Sequence, residues 1–412
     1  MVFKLTFPIK TATACQLKWT WSTLYLNDGT TSSCHRVGRH AVSLDNFDSF
    51  HNTPEKIEQR QTMLKGEWPQ PLSYMKMDEG CRYCQKIEAA GGQSDRQFHL
   101  QIPNLAPKEL EIDPTAVEVT PKILEVFLSN TCNLSCTYCN AKNSSQIERE
   151  NKRFGDNSLV IDKDLTKKYT EKFFEWLAKN ANELHRLHLL GGEPLYQKEF
   201  YRCLDFFESN PNNKLEFNIV TNLMIDSTKL EQLISRWRMM IAKKKIKRID
   251  ITVSIDCWDD EQEYARWGIK LKTIENNINL LLKEKWLFLN INSTLTPLTI
   301  RKFHVLVDKI NDWKTQHTVN HHFQTVFSPS YHNPDIFGTD FWKDDIELAL
   351  SKMPQTNWQE QNSYRYLNGI LSQIQCSTIK YDEINLLILH LDELDRRRNT
   401  NWRELFPYLL IN

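Results

Sequence analysis

The stretch Ile123-Leu124-Glu125-Val126-Phe127-Leu128-Ser129-Asn130-Thr131-Cys132-Asn133-Leu134-Ser135-Cys136-Thr137-Tyr138-Cys139-Asn140 decides how this chain is read. Residues 123–128 read as a strand. The loop after it carries three cysteines spaced C-x-x-x-C-x-x-C, which can hold three irons of a cubane and leave the fourth iron without a protein ligand. An open iron can chelate a cofactor and pass it an electron, whereas a cluster closed by four cysteines mainly shuttles electrons. A zinc knuckle, or three core cysteines, is the competing reading. Zinc would want a fourth Cys or His close by, and none follows Cys139 until His185.

Working outward, strands alternate with amphipathic helices. Strands are expected at 185–190, 215–221, 246–255, 287–294 and 321–327, and helices at 165–178, 198–208, 228–241, 273–284 and 301–310. Six strands separated by helices argue for parallel βαβ units in a barrel-like or doubly wound sheet, an α/β fold. The tail from about 336 is mostly helical, clearest at 386–395 before Arg396-Arg397-Arg398. Upstream, Trp19 to Leu26 alternate and are followed by Asn27-Asp28-Gly29, a turn signal, so a small hairpin-bearing domain is expected before a Pro-punctuated linker at 103–121.

A chain of 412 residues is long enough for two or three domains. Lys plus Arg and Asp plus Glu both number 52, which gives no excess of charge to draw the whole protein to nucleic acid or an acidic membrane. The N-terminus has no uninterrupted apolar segment, and runs such as Leu386 to Leu389 fall far short of the roughly 20 residues that span a bilayer. The expectation is a soluble, cytoplasmic protein that binds neither membrane nor nucleic acid. Ten cysteines without a secretion signal then point to metal or redox chemistry. Seven lie in roughly the first third, while Cys203, Cys257 and Cys376 are scattered singly.

At these residues the sequence resembles the radical S-adenosylmethionine superfamily over about 122–330. The resemblance implies that Cys132, Cys136 and Cys139 hold a 4Fe-4S cluster that binds S-adenosylmethionine, with Tyr138 near the adenine. Gly191-Gly192-Glu193-Pro194 resembles the family's G-G-E-P motif: glycines let the backbone approach, and Glu193 can hold the cofactor's ammonium group. Thr221-Asn222 stands where relatives carry T-N-G, with Leu223 in place of the glycine. Ser254 and Asp256 resemble the family's S-x-D, suited to ribose or methionyl contacts. Arg266 lies where relatives place an arginine for the cofactor carboxylate. Turn residues and a helix cap are the bland alternatives for Thr221, Asn222 and Asp256. Cys257, next to Asp256, could donate a hydrogen atom to a substrate radical, or be a small loop residue. His321 and His322 lack a third ligand nearby and read as structural or solvent-facing.

Cys15 and Cys34 flank the hairpin and Cys81-Arg82-Tyr83-Cys84 adds a C-x-x-C, so four cysteines are available for one site. With Glu88, Gly91-Gly92 and Ser94-Asp95-Arg96, this region resembles the SPASM/twitch auxiliary module, here preceding the barrel instead of following it. Four cysteines match a twitch module with a second, fully ligated 4Fe-4S cluster; structural zinc is the alternative. The implied architecture is a partial (β/α)6 TIM-like barrel over 116–335, a twitch-like iron-sulfur domain over 1–115 and a C-terminal helical segment over 336–412. The implied activity is reductive cleavage of S-adenosylmethionine to a 5′-deoxyadenosyl radical that abstracts hydrogen from a substrate. A peptide or protein side chain is favoured over a small metabolite, and an external flavodoxin or ferredoxin is expected to supply electrons. The alternative from another class is a non-catalytic zinc-binding interaction protein.

Overall fold

The computed structural model describes residues 11, 13–34, 37–70, 80–89, 94–99, 113, 115–326, 328–338 and 340–410. Gly91, Gly92, most of the 103–121 linker and Phe327 lie outside the described residues. The strands among these residues are β1 (Trp21–Tyr25), β2 (Thr30–Ser32), β3 (His40–Ala41), β4 (Ile123–Phe127), β5 (Ser135–Cys136), β6 (Arg186–Leu190), β7 (Glu216–Thr221), β8 (Arg248–Ser254), β9 (Arg266–Trp267), β10 (Phe288–Leu295) and β11 (Val319–Thr325).

One sheet of nine strands runs in the order β11-β10-β8-β7-β6-β4-β1-β2-β3, and β5 pairs with β9 in a sheet of two. The segment from β4 to β11 is parallel and strictly sequential. Sequential right-handed crossovers leave every connecting helix on the same side of a sheet. The helices Lys163–Asn180, Lys198–Ser209, Ser227–Ala242, Leu271–Leu281 and Phe303–Lys314 accordingly share one core with alternate strand residues, among them Leu187, Leu189, Phe217, Ile219, Ile251 and Ile291. The period-2 alternation puts polar residues on the opposite face. Near the strand starts these form an ionic net, in which Glu216 accepts from Arg186, Lys247 and Arg248 while Arg248 clasps Asp250. Farther along lie the uncharged Thr252, Asn290, Asn292, Asn320, His322 and Gln324, all partly or well exposed.

The hairpin expected around Asn27-Asp28-Gly29 forms from β1 and β2, with Trp19 and Thr20 in a preceding helical turn, Leu17–Thr20. β1 is also hydrogen-bonded in parallel to β4, so the N-terminal segment extends the main sheet. Leu24, Leu26, Val42, Phe47 and Phe50 join the main core, and the Phe50 and Trp176 rings meet edge to face at 5.0 Å. Gly29 has φ +64°, and a Cβ there would collide with the Tyr169 ring. The C-terminal helices Lys343–Lys352, Trp358–Gln375 and Tyr381–Arg398 build a second core around Trp342, Leu387 and Trp402.

Candidate functional site

The cysteine loop follows β4, at the end of the sheet where parallel αβ proteins place their chemistry. Its backbone is held from several sides. Ser144 Oγ donates to Leu134 O at 2.6 Å, Ser145 N to Asn130 O at 2.7 Å, and Asn130 Nδ2 to Ala141 O and to Glu148 Oε2. Cys136, in β5, pairs with Arg266 in β9, and Thr137 N donates to Ala265 O. The three cysteines are half-buried, and Leu134 N points at Cys132 Sγ at 3.4 Å. Burial, followed by the neighbouring Cys136, pushes the Cys132 thiol up to about 12, and Cys139 is pushed to about 12 in the same way. Metal binding needs thiolates, so loading this loop releases protons.

The G-G-E-P segment folds directly onto the loop. Gly191 and Gly192 have φ +83° and +45°, and a Cβ on Gly192 would drive into the Thr131 carbonyl. Glu193 N donates to that carbonyl at 2.8 Å, and Gln197 Nε2 reaches Gly191 O, Thr131 O and Ser129 O. Pro194 opens a short 3-10 turn, Pro194–Tyr196. Glu193 is 1% exposed: Oε1 accepts from Thr221 Oγ1 at 2.7 Å and Leu195 N at 3.1 Å, Oε2 from Asn222 N at 2.6 Å. Burial outweighs these donors and raises its pKa to about 7. Asn222 Nδ2 also donates to Asn133 Oδ1, and Asn133 Nδ2 to Met224 O, which ties the end of β7 to the cysteine loop. Leu223 takes φ +56°, so the left-handed backbone that a glycine would favour is kept by a leucine.

Asp256 is fully buried after β8 and clasps Arg266 in two bonds of 2.8 Å, while accepting from Tyr138 Oη at 2.6 Å and Thr294 N at 2.8 Å. Tyr138, Asp256 and Arg266 are thus brought together, with the Arg266 carbon 5.6 Å from the Tyr138 ring centre. In this arrangement Arg266 faces a carboxylate of its own chain. Ser254 ends β8 opposite Asn292 of β10, partly exposed. Cys257 follows Asp256 but is fully buried, with its thiol against Gln262 Oε1, which also accepts from Asp256 N and Cys257 N. His321 is buried against Ser293, and His322 is exposed.

A bracing layer that no sequence motif marks lies against the loop. His390, on the helix Tyr381–Arg398, meets Thr137 O at 2.8 Å, and the Tyr331, His332 and His390 rings pack together beside Tyr138. Arg398 grips Glu150 by two 3.0 Å bonds, and Arg397 donates to Asn151, both on the helix Ser145–Arg153. Only the Arg396-Arg397-Arg398 run hinted at this contact.

In the N-terminal segment Cys15, Cys34, Cys81 and Cys84 line one small cavity together with Lys18, Trp68, Arg96 and His99. Arg96 is paired with Glu88 and donates to Ala14 O. Among the described residues no group of three or more His, Cys, Asp or Glu side chains is gathered tightly enough for one metal ion. No helix among them is long and apolar enough to cross a membrane.

This geometry agrees with a family match. Residues 126–320 fit the model of the Radical SAM superfamily, so the chain carries a Radical SAM domain. A curated relative, the radical SAM cyclopropyl synthase TigE of Paramaledivibacter caminithermalis, is 27% identical over 188 residues. That match covers 44% of this chain, and the chain spans 37% of the relative's length. Among solved structures, anSMEcpe with bound AdoMet and the Kp18Cys peptide is 18% identical at TM-score 0.35, covering 65% of this chain and 66% of that one. Streptococcus suis SuiB is 14% identical at TM-score 0.38, covering 86% and 68%.

Proposed function

We propose that this protein is a radical S-adenosylmethionine enzyme that acts on a peptide or protein side chain. The carrying observation is the three-cysteine loop locked against Gly191-Gly192 with the buried Glu193 carboxylate beside it. Three half-buried cysteines on one braced loop, one receiving an N–H at its sulfur, fit a 4Fe-4S cluster. When bound, the cluster and S-adenosylmethionine supply one-electron cleavage of a carbon–sulfur bond and hydrogen-atom abstraction.

The chain's own residues bind and orient. Glu193 holds the cofactor's ammonium group, and Thr221, Asn222 and Leu195 fix its carboxylate for that task. Tyr138, fixed by its bond to Asp256, offers a ring face for the adenine. Arg266, held by Asp256, would supply the guanidinium for the cofactor carboxylate, the partly exposed Ser254 would face its sugar, and the fully buried Asp256 would serve that site by fixing Arg266 and Tyr138. Cys257 packs behind this wall as a small residue. The sequential strands curl as a partial (β/α)6 barrel over 116–335. Its open face, uncharged from Thr252 to Gln324, suits the amides of a peptide. The curated relative, named as a radical SAM synthase, supports the enzyme part of the reading, and a small metabolite is the alternative substrate.

Over 1–115, Cys15, Cys34, Cys81 and Cys84 form a twitch-like site for a second 4Fe-4S cluster, their shared cavity supporting this over separate roles. A low-potential flavodoxin or ferredoxin delivers electrons. The test is anaerobic reconstitution with iron and sulfide, followed by metal analysis: about eight irons per chain are expected for two cubanes. About four irons with one zinc would assign the N-terminal site to zinc, and zinc alone would remove the enzyme reading.

A further inference from the structure

Beneath the four-cysteine cavity lies a set of buried cations that no carboxylate among the described residues meets in an ion pair. Lys18 is 2% exposed, Lys56 1% and Arg60 0%. Lys18 lines the cavity, and its Nζ donates to Ser33 Oγ at 2.8 Å and Gln59 Oε1 at 2.6 Å. Lys56 Nζ donates to Ser22 Oγ at 2.7 Å and Thr31 Oγ1 at 2.8 Å. Arg60 donates to Lys18 O, His51 O and Asn52 Oδ1. Each cation is met by neutral acceptors, and no carboxylate among the described residues forms an ion pair with any of the three. His51, buried between Arg60 and Ser22, adds no negative charge.

Three buried positive charges are costly unless something negative balances them, since an isolated ion inside a protein loses several kcal/mol of hydration free energy. Glu55 acts on Lys56 and Glu118 on Arg60 only at a distance, and the groups able to become negative around Lys18 in the cavity are the four thiols. Left as thiols they are neutral. Held as thiolates around a cubane, they give a centre of net charge about −2, which grows by one on reduction.

We propose that Lys18, backed by Lys56, offsets the charge of a tetrathiolate iron–sulfur cluster at Cys15, Cys34, Cys81 and Cys84 and raises its reduction potential. The proposal rests on the reading of that site as an iron–sulfur centre. Reduction adds an electron, here from dithionite, to a centre that is already anionic. A fixed cation close by stabilises the reduced form more than the oxidised one. The low effective dielectric of a buried site keeps this effect from being screened away. Lys18, in the cavity wall, carries the largest share. Lys56, one layer behind and with Glu55 acting on it more strongly than Cys34, carries a smaller share. These are positioning residues that touch neither substrate nor S-adenosylmethionine.

The experiment is a dithionite titration of the reconstituted full chain followed by electron paramagnetic resonance. The N-terminal cluster is recognised by a signal that S-adenosylmethionine does not alter. Lys18→Met should move the potential of that signal to more negative values, Lys56→Met should move it less in the same direction, and Lys18→Arg should restore it. The cluster whose signal responds to S-adenosylmethionine serves as the internal control and should keep its potential. If Lys18→Met fails to load iron, the Lys56→Met shift decides. Two clusters whose potentials ignore both substitutions would overturn the proposal while leaving the iron–sulfur reading intact. Zinc at the site in the unaltered protein would overturn that reading first.

Discussion

Glu193 is where residue-level physics is most exposed to test. A carboxyl raised to about 7 binds its proton more tightly in the folded than in the unfolded chain, so the apoprotein loses stability as pH rises from about 4.5 through 7. An ammonium partner needs the carboxylate. Calorimetric affinity for S-adenosylmethionine should therefore fall as pH drops below about 7, and Glu193→Gln should flatten this dependence. The same variant should weaken binding by about 10- to 100-fold at pH 8, the loss expected for one charge-assisted hydrogen bond, while keeping its iron. Affinity in Glu193→Gln equal to that of the unaltered protein would remove Glu193 from the cofactor site. Leu223 poses a contest between backbone and side chain. Its left-handed φ costs about 1 kcal/mol, but deleting a buried leucine costs about 3 kcal/mol or more. Leu223→Gly should destabilise the fold, yet by about 1 kcal/mol less than Leu223→Ala in urea unfolding. The types and spacing of these residues were legible in the sequence because the motifs sit at strand ends. The Arg266–Asp256 pairing was not, since residues ten apart in sequence gave no sign that their side chains satisfy each other.

At the scale of elements, the helix Tyr381–Arg398 acts as a brace for the cysteine loop. It touches the loop through His390 and the following helix through Arg397 and Arg398. Arg398 is 4% exposed and Glu150 16%, so removing one partner leaves the other charge poorly solvated. Arg398→Ala should cost about 3 kcal/mol in thermal or urea unfolding, with faster loss of iron from the Cys132 loop under a chelator. A melting temperature and chelation rate equal to those of the unaltered protein would show the brace to be incidental. The helix itself was readable from its apolar spacing. Its partner was not, because 246 residues separate Asn151 from Arg397 and no local pattern encodes a contact of that length. The open face of β8, β10 and β11 was likewise hidden: alternation shows which residues share a face, while only the sequential strand order shows that the helices leave the other face free.

For the whole molecule, the hairpin foretold its own turn but not its place. β1 lies beside β4 in the same sheet, Thr23 donates to Glu125 at 2.7 Å, and Phe50 packs on Trp176, so the N-terminal segment and the main sheet share a core. Residues 116–412 expressed alone would bare the β4 edge and the apolar surface under Phe47 and Phe50. Such a fragment should aggregate or lose its cooperative melting transition; a soluble, cooperatively folded fragment would show the two parts to be independent. Strand pairing across about 100 residues is set by tertiary packing, which turn chemistry does not report. The central claim is that the cysteine loop and the G-G-E-P turn together make a radical S-adenosylmethionine centre. Its most direct test is 5′-deoxyadenosine formation by the anaerobically reconstituted, reduced protein, compared with a variant carrying Cys132→Ala, Cys136→Ala and Cys139→Ala. The account predicts product from the unaltered chain and none from the variant, which should also lose about four irons. Undiminished 5′-deoxyadenosine from the triple variant would contradict it.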